Sequence, residues 1–264
     1  MTTAPAAQPA PAPPTVAPNA TLFLPAAYRQ QPAALTHDSA RDADSYWAPW
    51  RLADNGKWQY HVYHWAAALI RAHHLRSVLD VGCGPCVKLV RLIQPVCSDI
   101  LGLDQPSALA AARAQGVTFA LREADLERPR IDLARTFDLI LCADVIEHLA
   151  DPDPALALIR GAAHAGTLVV ISTPERARER GRACMASTKP EHVREWTREE
   201  FERFLRSRSL TPVMHRLLPK DDADRAPARE AERDFRLRRR DTSPLCCQAW
   251  VCRVDGAPAD GRAG

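Results

Sequence analysis

The 264-residue chain is 46% hydrophobic and 25% charged, which excludes a disordered polymer and allows a sizeable buried core. Its 35 basic and 32 acidic residues leave a formal charge of +3. So small a surplus gives no broad basic field and disfavours nucleic acid or an anionic membrane as partner.

Eight of the 22 prolines fall within the first 32 residues, so residues 1–36 read as a Pro/Ala-rich disordered tail. Met1 to Pro18 carries no Lys or Arg, unlike a signal peptide, and no apolar run approaches the about 18 residues of a membrane span. The expected location is cytoplasmic. Reduced thiols suit the eight cysteines at this chain length, and Cys83, Cys86, Cys246 and Cys247 lack the spacing of a structural metal site.

A helical cap is expected over 37–76. Trp58, Val62, Trp65 and Leu69 recur at helical spacing, with His61 and His64 beside the stripe. Strands and helices then alternate. Strands are expected at Ser77–Val81, Ile100–Asp104, Val117–Leu121, Phe137–Cys142, Thr167–Ile171 and Gln248–Val254. Helices are expected around Val87–Ile93, over Ser107–Ala114, from Asp153 and from Thr197, where Glu200 completes a capping box. This alternation gives an α/β fold: a mostly parallel sheet with helices on both faces, spanning 77–254. Residues 216–241 read as a solvated insertion, with the Arg236–Arg240 run nearly cancelled by its surroundings, and 255–264 as a flexible C-terminus.

The segment Val78-Leu79-Asp80-Val81-Gly82-Cys83-Gly84-Pro85-Cys86 ends a strand in a Gly-x-Gly turn, where a backbone can approach a nucleotide. The third glycine of a dinucleotide fingerprint is Val87 here, and a carboxylate at Asp80 would repel a pyrophosphate. A ligand with an ammonium group suits Asp80 instead, as in S-adenosylmethionine. Asp104, 20 residues beyond Gly84, can accept hydrogen bonds from ribose hydroxyls, and Asp125 follows the third strand within reach of an adenine amine.

With Phe137-Asp138-Leu139-Ile140, Asp144-Val145-Ile146-Glu147-His148-Leu149 and Ser172-Thr173-Pro174, the sequence resembles the class I S-adenosylmethionine-dependent methyltransferases from about Trp58 to Leu205. The resemblance implies a Rossmann-like seven-stranded sheet with an antiparallel C-terminal hairpin. It also implies a cofactor site of Asp80, Gly82, Cys83, Gly84, Asp104, Asp125, Leu126 and Asp144. One departure stands out: Cys86 occupies the place where the family often has a third glycine.

Glu147, His148 and His192 are the expected catalytic groups, because a hydroxyl acceptor needs a base where amines and carbon nucleophiles need none. The expected substrate is a small-molecule or glycan hydroxyl, with Arg194 and Trp196 as candidate contacts and no resident metal. Two alternatives stand beside it. In one, Asp144, Glu147, His148 and His192 hold a divalent ion for RNA 2′-O-methylation, as in similar small-RNA enzymes. In the other, the protein is a non-catalytic binding relic of the fold.

Overall fold

The computed structural model describes residues 16–31, 52, 55–128, 131–219 and 246–259. After a short 3-10 turn at Asn19–Leu22 come helix α1 (Tyr60–His73), strand β1 (Ser77–Val81), a π-type turn at Leu89–Ile93 and β2 (Asp99–Asp104). These lead to α2 (Pro106–Ala114), β3 (Ala120–Glu123), β4 (Phe137–Ala143), α3 (Asp153–Gly161) and β5 (Ala163–Pro174). The chain closes with α4 (Arg176–Glu179), α5 (Arg198–Ser207), β6 (Leu210–Pro219) and β7 (Cys246–Val254).

All seven strands form one sheet in the order β3-β2-β1-β4-β5-β7-β6. The first five are parallel, and β7 runs antiparallel between β5 and β6. Order reverses between β1 and β4, which opens a ligand crevice at the carboxyl ends of those strands. The expected Rossmann-like sheet and its antiparallel hairpin are therefore present.

Each central strand is buried on both sides, so successive residues feed opposite cores. Val78 of β1 and Leu139 and Leu141 of β4 join Val62, Tyr63, Trp65 and Leu69 of α1 on one face. Leu79, Ile140 and Cys142 join Leu156 and Ile159 of α3 and Phe201, Phe204 and Leu205 of α5 on the other. The stripe expected on α1 is thus its core face, apart from the half-buried Trp58. Thr197 caps α5 through Glu200 N–H while the Glu200 carboxylate accepts from Thr197 N–H. No described helix is long and apolar enough to cross a membrane.

Several expectations shift. The third strand lies at Ala120–Glu123 rather than Val117–Leu121, because register is set by pairing Leu101–Asp104 with these residues. Residues 216–219 are the end of β6, paired with Cys246–Ala249, and not the start of an insertion. The rest of that insertion, including Arg236–Arg240, lies outside the described residues, as do 1–15, 32–51 and 260–264 of the flanking segments.

Residues 16–31 are a folded strap and not part of a tail. Leu22, Leu24 and Tyr28 are buried in the core beside α5. Polar side chains pin the strap as well: Asn19 Nδ2 donates to Tyr28 O at 2.6 Å, and Trp196 Nε1 donates to Leu22 O at 2.9 Å. At the other end, Ala165 N–H donates to Pro258 O and Asp255 N–H to Ser209 O, so 255–258 run against the sheet.

Candidate functional site

The turn after β1 hangs from the neighbouring strand, with Gly82 and Cys83 N–H both donating to Leu103 O. Gly82 and Gly84 sit at φ +82° and +57°, in the left-handed region that a side chain disfavours. A Cβ on Gly82 would lie 2.5 Å from Val145 Cγ2. We expect Gly82→Ala to lower unfolding free energy by about 2–4 kcal/mol from combined strain and overlap. Denaturant titration measures it, and adding Val145→Ala should return part of the loss. Cys86, where the family places glycine, adopts φ +63° with its side chain buried, so it takes the glycine-like backbone despite its Cβ.

Asp104 ties this turn to β2. One carboxylate oxygen accepts from Gly84 N–H at 2.6 Å and the other from Gln105 N–H at 2.7 Å. Burial outweighs these bonds and raises its carboxyl to about 6. Each oxygen keeps a second lone pair, which ribose hydroxyls can use. Asp125 is exposed after β3 and accepts from Glu127 N–H at 3.0 Å; Leu126 packs half-buried beside the core.

Asp80 is fully buried. Its Oδ2 accepts from Tyr63 Oη at 2.7 Å, whereas Oδ1 is buried without a hydrogen-bond partner. Burial raises its carboxyl to about 7, against the lowering effects of the Tyr63 bond and the Lys88 charge. An orphaned carboxylate oxygen beside a glycine turn fits an ammonium-bearing nucleotide such as S-adenosylmethionine.

Beyond β4, Asp144 sits at φ +52° and joins two elements. It accepts from Ser172 Oγ at 2.7 Å and from Gln59 Nε2 at 3.2 Å. Among the described residues, the group able to hold a metal ion is Glu147, His148 and His192, whose ligand atoms lie within 4.8 Å of one another. Asp144, part of the four-residue set of the alternative metal reading, is not in this group.

The chain brings His192 to this cluster by pairing Val193 N–H with Glu147 O at 2.8 Å. The His192 and His148 rings then meet edge to face, centroids 4.8 Å apart. Glu147 Oε2 accepts from Thr173 Oγ1. His148 Nδ1 lies 2.7 Å from Glu191 O, and His192 Nδ1 lies 2.7 Å from Glu195 Oε1. Both acceptors require the proton on Nδ1, so in the neutral imidazole the lone pair is on Nε2.

Glu195, to which the sequence reading gave no role, is the buried partner of His192. It has no exposed surface and also accepts from Ser187 Oγ at 2.9 Å and from Arg180. Burial alone would raise its carboxyl, but the His192 bond and the charges of His192 and Arg180 bring it down to about 2. The available signal was the three-residue spacing between His192 and Glu195.

Arg194 and Trp196 are fully buried and serve the strap rather than a substrate. The Arg194 guanidinium donates to Gln30 Oε1, Leu149 O and Ala150 O, each at 2.6 Å. His164 is a buried residue of β5 with Nε2 3.1 Å from Asp138 Oδ1.

A family model for a methyltransferase domain matches residues 31–215. A ubiquinone biosynthesis O-methyltransferase of Methylococcus capsulatus (strain ATCC 33009 / NCIMB 11132 / Bath) is 30% identical over 106 residues, 38% of this chain and 44% of that protein. The chain thus spans less than half the length of the curated relatives it matches. Two solved structures share the fold. N-methyltransferase NodS from Bradyrhizobium japonicum WM9, in complex with S-adenosyl-L-homocysteine, has a TM-score of 0.54 at 19% identity, covering 83% of this chain and 98% of that one. The 1,6-didemethyltoxoflavin-N1-methyltransferase of Burkholderia thailandensis has a TM-score of 0.53 at 17% identity, covering 93% of each chain. With most of its length inside the family model, and the glycine turn and strand-end carboxylates in place, this chain belongs to the class I S-adenosylmethionine-dependent methyltransferase family.

Proposed function

We propose that the protein methylates a hydroxyl of a small-molecule or glycan acceptor, with His192 as general base. The observation that carries this reading is the buried His192–Glu195 pair beside His148, at the carboxyl edge of the sheet. Bound S-adenosylmethionine supplies an electrophilic methyl on a sulfonium leaving group. The protein must orient an acceptor and remove its proton. Asp80 and Asp104 hold the cofactor's ammonium and ribose. His192 Nε2 accepts the hydroxyl proton, and the Glu195 carboxylate stabilises the imidazolium that forms. Cysteines embedded in both apolar cores support the cytoplasm as the compartment.

Calorimetric titration with S-adenosylmethionine tests the cofactor half. Saturable binding is expected for the native protein, with a loss above about 100-fold in Asp104→Ala, which removes two backbone anchors and the ribose acceptor together. No heat with the native protein overturns the reading and favours the relic. Mass spectrometry of a cell extract given methyl-labelled cofactor then identifies the acceptor.

A second reading rests on the Glu147, His148 and His192 cluster, two imidazoles and one carboxylate. That set suits a divalent ion able to lower a hydroxyl's pKa, a role that ribose 2′-O transfer can use. Activity lost to EDTA and restored by magnesium or manganese supports it; activity indifferent to EDTA leaves His192 as the base.

A further inference from the structure

We propose, resting on the cofactor reading above, that Lys88 binds the α-carboxylate of the S-adenosylmethionine tail while Asp80 binds its α-amine. Lys88 lies just ahead of the π-type turn that follows the glycine turn, and its side chain is buried, with 6% of its surface exposed. A buried ammonium is costly without acceptors, and Lys88 Nζ finds them in Asn55 O at 3.0 Å and Asn55 Oδ1 at 3.1 Å. An ammonium has three donors, so one is left for a further acceptor.

The nearest aromatic ring explains the layout. Lys88 Nζ lies 5.3 Å from the centre of the Tyr63 ring, and the hydroxyl of that same Tyr63 donates to Asp80 Oδ2. Asn55 therefore accepts from the lysine while Tyr63 donates to the aspartate, and Asp80 Oδ1 keeps no partner. Burial lowers the Lys88 ammonium to about 8, while the charges of Asp80 and Asp144 act to keep it protonated. One spare N–H donor on a buried cation and one orphaned oxygen on a buried anion, both set against Tyr63, complement a zwitterion. An α-amino acid carries that pair of charges on a single carbon.

The experiment compares S-adenosylmethionine with its decarboxylated analogue, which keeps the sulfonium and amine and lacks only the carboxylate. By calorimetry the native protein is expected to bind the intact cofactor about 10- to 100-fold more tightly, the worth of one charge-assisted contact. In Lys88→Met the two ligands should bind within about threefold of each other, because the intact cofactor alone loses affinity. Equal binding of both ligands by the native protein overturns the inference and needs no variant. Full discrimination retained in Lys88→Met also overturns it, leaving Lys88 as a brace for Asn55. If the native protein binds neither ligand, the cofactor reading and this inference fall together; if it binds both alike, only the inference falls.

Discussion

His192→Ala is expected to reduce kcat by about 10²- to 10⁴-fold, the range that a positioned general base contributes, with cofactor affinity nearly unchanged. The selectivity follows from placement. His192 sits on the loop between α4 and α5 and touches His148 and Glu195, whereas the glycine turn lies after β1. Glu195→Gln is the sharper variant. It keeps the shape of the pair but removes the charge that stabilises the imidazolium, so kcat falls and the acid limb of its pH profile moves to lower pH. Unchanged turnover in His192→Ala would sink the base role and direct the search to an amine or carbon acceptor.

Glu195 also links stability to pH. Its carboxyl is depressed from 4.5 to about 2, so its contribution is complete above the unfolded value. That contribution is lost as pH falls from about 4.5 toward 2. Glu195→Gln should flatten this acid limb of the melting temperature while leaving other carboxylates to titrate as before.

Trp196→Ala is expected to lower unfolding free energy by about 3–5 kcal/mol, read from denaturant titration. The indole is wholly buried, lies 5.3 Å from Phe204 and 5.5 Å from Phe201 between ring centres, and donates to Leu22 O. Its loss leaves a cavity under the strap and strips that carbonyl of its donor. The loop that carries His192 and Glu195 should feel the change, because Tyr28 Oη accepts from Glu195 N–H at 2.9 Å and Gln31 N–H donates to Val193 O. Leu22→Ala tests the same contact from the strap side, at about 2–5 kcal/mol. A Trp196→Ala protein of native stability with only a raised KM for acceptor would return Trp196 to the substrate site.

These two expectations come from different levels of information. The strand β1 and its glycine turn, the capped α5 and the α1 stripe were legible because each is governed by neighbours within a turn or two. Period-two and helical patterns, a capping box and paired glycines are local consequences of backbone geometry. Aspartates at strand ends could be placed on one edge from that order alone. The family resemblance added what local pattern lacked, namely β6 and the antiparallel hairpin.

Composition misled where burial depended on distant partners. The proline-rich opening reads as a tail, yet Leu22 and Tyr28 find their core around Trp196, some 170 residues onward. Arg194 and Trp196 looked like substrate contacts because cationic and aromatic planes suit sugars and phosphates; only the docked strap shows what occupies them. Lys88 carried no signal at all, since a lysine's burial cannot be read from its neighbours in the chain.

Length, composition and charge thus determined a globular chain with no broad basic field, the strand–helix alternation its α/β class, and the local motifs its cofactor edge. Tertiary structure alone decided how much of the proline-rich opening folds, which carboxylate holds His192, and where the buried ammonium stands relative to Asp80. Those outcomes rest on contacts between residues far apart in sequence, whose desolvation and pairing energies exist only once the sheet has assembled them.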